Sequence, residues 1–108
     1  MREKTIESKL VALCKKEGIL CYKFTSPGNA GVPDRMLIFP NGLITFLELK
    51  APGKKPTPKQ TETLMRFRRQ GVDATWLDNF KDVKERVQYW LAKDSSRIPS
   101  LYSPHTPV

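Results

Sequence analysis

Sulfur and imidazole ligands are in short supply here. The chain has two cysteines, Cys14 and Cys21, and one histidine, His105. The cysteines match no metal-ligand spacing and are expected to be reduced, buried thiols of an intracellular protein. His105 stands alone near the C-terminus and gets no role. No stretch approaches the ~20 apolar residues of a membrane span. The opening Met1-Arg2-Glu3-Lys4 leads into an amphipathic pattern without an apolar signal core, so a cytoplasmic location with no membrane partner is expected. Acid is also scarce: 11 acidic residues face 19 basic ones, a net charge of +8. That excess favours a polyanionic partner, most commonly nucleic acid. With 108 residues and no internal repeat, one domain with a thin core is expected, which leaves room for partner subunits.

What is present falls into a clear order. Ile6, Leu10, Leu13 and Cys14 recur at helical spacing between Glu3 and Lys16, and Gly18 ends that helix. Glu7 flanks the stripe, either on its solvated edge or turned inward. Ile19 to Phe24 reads as a strand. Thr25 to Pro33, with Pro27, Gly28, Asn29, Gly31 and Pro33, reads as a loop whose glycines permit close approach to a ligand. Thr57 caps a helix with Pro58 at its first position, running to Gln70 and stopping at Gly71. Leu64, Met65 and Phe67 are expected to face its core side. Asp73 to Leu77 reads as a strand and Lys81 to Lys93 as a last helix, with Val83, Val87, Trp90 and Leu91 as its stripe. Asp82 and Arg86 are spaced as a supporting pair. From Asp94 onward serine and proline dominate, and an extended tail is expected, docking through Ile98, Leu101 and Tyr102. The domain is thus 1–93 and the tail 94–108. The order αβββαβα implies an α/β fold with a small mixed sheet flanked by helices.

The centre of the chain carries the chemistry. Asp34 to Phe39 and Leu43 to Lys50 are two strands joined by Pro40-Asn41-Gly42, a strong hairpin signal. Asp34, Met36 and Ile38 share one face of the first; Ile44, Phe46, Glu48 and Lys50 share one face of the second. The turn halves are apolar on both faces, which suits strands covered on both sides. The charges gather at the open end. Asp34 and Glu48 should therefore lie close together, an unfavourable pairing unless something positive lies between them. Hard divalent cations take such oxygens. Asp34, Glu48 and the backbone carbonyl of Leu49 offer three. Lys50, about 7 Å along the same face, is placed to hold an attacking water or a phosphate oxygen.

A Glu-x-Lys tripeptide alone is a weak signal; random order of this composition produces about 0.65 of them. Glu7-Ser8-Lys9 is a second example. On a helix residues two apart point roughly 200° apart, so that pair cannot serve one site, whereas Glu48 and Lys50 can.

With G-V-P-D at Gly31 to Asp34, E-L-K-A-P-G-K at Glu48 to Lys54 and P-K-Q at Pro58 to Gln60, the chain resembles the virus-type replication-repair nuclease (VRR-NUC) domain of the PD-(D/E)xK nuclease superfamily over roughly Glu3 to Lys93. The resemblance implies a restriction-endonuclease-like αβββαβ core, Mg²⁺ or Mn²⁺ as cofactor, and phosphodiester hydrolysis leaving a 5′-phosphate. It places the catalytic set on Asp34, Glu48, Lys50, Glu7 and Gln60, with Glu7 touching the metal directly or indirectly. Stand-alone members of this size are typical of phages and bacteria and are similar to dimeric Holliday-junction resolvases, so DNA, a four-way junction and a homodimer are the implied partners. Gln60 also completes a capping box with Thr57, a competing role. Lys54, Lys55, Lys59, Arg35 and Lys23 are the expected nucleic-acid contacts. A nicking or general endonuclease without junction preference, and a basic module that grips DNA without cutting it, are the alternatives.

Overall fold

The computed structural model describes residues 1–93; the expected tail and its Ile98, Leu101 and Tyr102 contacts lie outside the described residues. The elements follow the expected order: α1 (Glu3–Glu17), β1 (Leu20–Lys23), β2 (Arg35–Ile38), β3 (Ile44–Leu49), α2 (Pro58–Arg69), β4 (Asp73–Leu77) and α3 (Phe80–Leu91). The four strands form one sheet in the order β1-β2-β3-β4. The first three are antiparallel and β4 runs parallel to β3, because the α2 crossover returns the chain to the same end.

Alternation sorts the sheet into two unlike faces. Leu37, Phe39, Leu47 and Leu49 face one way and form the core with Ile6, Leu10 and Cys14 of α1 and Val83, Val87 and Trp90 of α3. Trp90 is fully buried, with its ring 5.6 Å from Phe39, while Trp76 is half-buried. α1 ends where Gly18 takes φ 72°, a left-handed value that favours glycine. Both cysteines are free. A hydrogen bond from the Cys14 thiol raises the Cys14 pKa and draws Cys21 down to about 7.

On the other face Phe24, Phe46 and Phe67 meet edge to face, with centroids 5.0 to 6.5 Å apart. Here the cover is incomplete. α2 packs on β4, so Leu20, Tyr22 and Ile44 near the turn remain about half exposed, and the expectation of strands covered on both sides does not hold there. Met65 is exposed rather than in the core; Leu64 and Phe67 share a side of α2, and Met65 lies about 100° round from Leu64.

The turn is tied to the end of α3. The Asn41 side-chain amide donates to the carbonyls of Trp90 and Lys93 at 2.9 and 3.2 Å, and its oxygen accepts from the Leu43 N–H. The Asp82–Arg86 pair does not form. Asp82 accepts from Asn79, the cap of α3, at 2.9 Å, and Arg86 lies against the Tyr89 and Trp90 rings.

Candidate active site

The β2–β3 register fixes the site. Arg35 pairs with Leu47, so the next position outward sets Asp34 opposite Glu48, both on the Phe46 face. Glu48 is 2% exposed. Its Oε2 takes the Lys50 ammonium at 3.2 Å and the Gln60 Nε2 at 3.3 Å. Its Oε1 is buried and has no hydrogen-bond partner among the described residues. Burial first, and then the Asp34 charge, push the Glu48 carboxyl up to about 7 against the pull of Lys50. Asp34 is exposed, and its Oδ2 accepts the Leu49 N–H at 3.2 Å. The Asp34 carbonyl accepts from Phe24 at 2.7 Å, tying the strand to the end of β1.

Gln60 fills both of its competing roles at once. Its Oε1 accepts the Thr57 N–H at 2.9 Å while its backbone N–H donates to the Thr57 hydroxyl, a complete capping box. The other end of the same amide reaches Glu48. The cap thus aims Gln60 at the site. The loop before Asp34 is pressed onto this helix end: a Cβ on Gly31, which has φ 88°, would lie 2.9 Å from the Lys59 side chain and 3.1 Å from its carbonyl, contacts no other residue could accept without a shift.

Glu7 reaches the area from the opposite face. It is half-buried and ion-paired with Arg35 Nη2. A cleft of about 210 Å³ is lined by Glu7, Lys23, Phe24, Thr25, Asp34 and Arg35. Glu7 and Asp34 therefore border one space, while Arg35 stands between Glu7 and the rest of the sheet. Among the described residues no three His, Cys, Asp or Glu side chains gather as a metal cage; the close carboxylates are the Asp34–Glu48 pair.

Arg35 is not at a nucleic-acid surface as expected. Strand alternation turns it away from Asp34 toward α1, where it is 7% exposed and held by Glu7. This pair was the main feature missed. Alternation set Arg35 on the face opposite Asp34, but nothing in the sequence aligned Glu7 with it. Lys54, Lys55, Lys59 and Lys23 are all exposed. Asp78 anchors the lysine-bearing loop by accepting the Gly53 N–H at 3.1 Å, a second contact the sequence did not reveal.

Chemically, this is a hard-oxygen site with an ammonium beside it. Two facing carboxylates, one with a buried oxygen that has no partner among the described residues, are oxygen donors of the kind a small divalent cation takes.

No family model matches the sequence. A curated protein, "Putative nuclease p44" of Acyrthosiphon pisum secondary endosymbiont phage 1, is 48% identical over 79 residues, 73% of this chain and 85% of the relative. A solved structure described as "VRR_NUC domain" superimposes with a TM-score of 0.76 at 29% identity, over 82% of this chain and 96% of that one. A second, "VRR_NUC domain protein", has a TM-score of 0.72 over 87% of this chain and 92% of that one; at 15% identity the likeness is one of fold.

Proposed function

The chain belongs to the VRR-NUC nuclease family, and from that premise we propose that it is a metal-dependent DNA endonuclease. Asp34, Glu48 and the Leu49 carbonyl would hold one Mg²⁺ or Mn²⁺. When bound, such a cation lowers the pKa of a coordinated water and offsets charge on the phosphate. Lys50 supplies a fixed positive charge beside Glu48, oriented toward an attacking water or a phosphate oxygen. Gln60 restrains the Glu48 oxygen that Lys50 shares. Glu7 borders the Asp34 cleft and acts at the metal directly or indirectly. Lys54, Lys55, Lys59 and Lys23 follow the DNA backbone by charge. The reaction breaks a P–O3′ bond, with water oxygen joining phosphorus and the proton leaving with the 3′-hydroxyl. The reading extends to branched DNA and a homodimer, since two symmetry-related sites suit a junction in which two strands are cut.

The observation that carries this is the buried Glu48 Oε1, without a partner among the described residues, on a carboxylate that feels the Asp34 charge and binds Lys50. The test is cleavage of labelled four-way junction, flap and duplex in Mg²⁺, Mn²⁺ and EDTA. Cutting that needs the cation, prefers the junction and disappears in Asp34→Ala and Lys50→Ala supports the reading. Equal cutting of duplex removes the junction preference, and cutting in EDTA rejects the metal.

A further inference from the structure

Pro33 lies two residues beyond the last β2–β3 pair, Arg35–Leu47; carried outward, that register would set position 33 against position 49. The Leu49 N–H points toward β2, since it donates to Asp34 Oδ2. The next N–H, that of Lys50, points the other way, to the Leu77 carbonyl at 2.9 Å. In a strand a residue's N–H and C=O leave on the same side, and facing residues in such a pair exchange both bonds. The Leu49 carbonyl therefore faces position 33 and expects an N–H there. Proline has none.

Neither half of that would-be pair is made: the Leu49 N–H goes to the Asp34 carboxylate rather than to the Pro33 carbonyl, and position 33 offers the Leu49 carbonyl no donor. We propose that Pro33 is a positioning residue: by withholding the N–H that any other amino acid would offer, it keeps the Leu49 carbonyl available to the cation. This rests on the metal-binding reading above. Any other residue at that position would bring an amide proton onto the same oxygen. It would also close the hairpin by one more pair, at the point where the Asp34 carboxylate now bonds between the strands. Pro33 is fully buried, so its ring also fills space, and the test must separate shape from the missing donor.

Two replacements do so. Pro33→Ala removes the ring and restores the N–H; N-methylalanine at the same position, installed by ligation, removes the ring but has no N–H. The first readout needs no metal: the scalar coupling across a hydrogen bond from the amide nitrogen of residue 33 to the Leu49 carbonyl carbon, measured in EDTA. The second is Mn²⁺ affinity by calorimetry. Pro33→Ala is expected to show the coupling and to bind Mn²⁺ about tenfold more weakly or worse, the scale seen when a ligand's support is lost. The N-methylalanine protein is expected to bind as the wild type does. Absence of the coupling, wild-type affinity in Pro33→Ala, or equal weakness in both proteins overturns the proposal. Where Pro33→Ala does not fold, Pro33→Val brings the same N–H on a residue that favours strands. A wild type that binds no Mn²⁺ rejects the metal reading itself; a wild type that binds it while Pro33→Ala binds equally rejects only the role of Pro33.

Discussion

The two ends of the β2–β3 hairpin share a backbone pattern and differ in everything else. At the turn end Ile38 faces Ile44, the Phe39 N–H reaches the Leu43 carbonyl at 2.9 Å, and Asn41 binds the turn to the end of α3. At the open end Asp34 faces Glu48, and the paired strands stop at Arg35 and Leu47. The turn end is held by packing on its core side and by these hydrogen bonds. The open end carries two repelling carboxylates and a buried oxygen with no partner among the described residues. The first makes the second tolerable: paired strands keep the carboxylates from moving apart.

Substitutions at the two ends should therefore differ in kind. The largest effect is at the open end, where Asp34→Asn or Lys50→Ala is expected to lower the cleavage rate by about 10²–10³ or more, with an unchanged circular dichroism spectrum. Near the turn, Leu37→Ala removes a side chain with no exposed surface. It should lower stability by about 2–5 kcal/mol in urea unfolding while Mn²⁺ affinity, measured below the unfolding range, stays as in wild type.

Third, the open end should be destabilising by itself. The Glu48 carboxyl titrates near 7 when folded and near its ordinary 4.5 when unfolded. Between those values the folded protein holds a proton that the unfolded chain releases. Its contribution to stability is therefore full below about 4.5, falls as pH rises, and levels off above about 7. Metal-free wild type should lose about 3 kcal/mol over that window relative to Glu48→Gln. Equal pH profiles for the two proteins would remove the repulsion from the picture. The smallest effect belongs to the turn: Asn41→Ala removes hydrogen bonds to two carbonyls at the end of α3 and should lower the melting free energy by about 1–2 kcal/mol, leaving cleavage intact.

Much of this was legible because strands and turns are written locally. Gly18, Pro40-Asn41-Gly42, Pro58 and Gly71 punctuate the elements, and period-two alternation placed Asp34, Glu48 and Lys50 on one face. What was not legible depends on how elements lie on each other. The Glu7–Arg35 pair needs the angle of α1 across the sheet. The exposure of Met65 and Ile44 needs the narrow reach of α2, which covers β4 and leaves the turn half of the sheet bare. Gln60 read as two competing roles because a sequence does not show that one amide, with a donor end and an acceptor end, can fill both.

The most direct measurement is anomalous diffraction from crystals grown in Mn²⁺. The expected result is a manganese peak between the Asp34 and Glu48 carboxylates, within bonding distance of the Leu49 carbonyl, that is lost in Asp34→Asn. A hairpin end without manganese, while wild-type protein in the same solution cuts DNA, would contradict it.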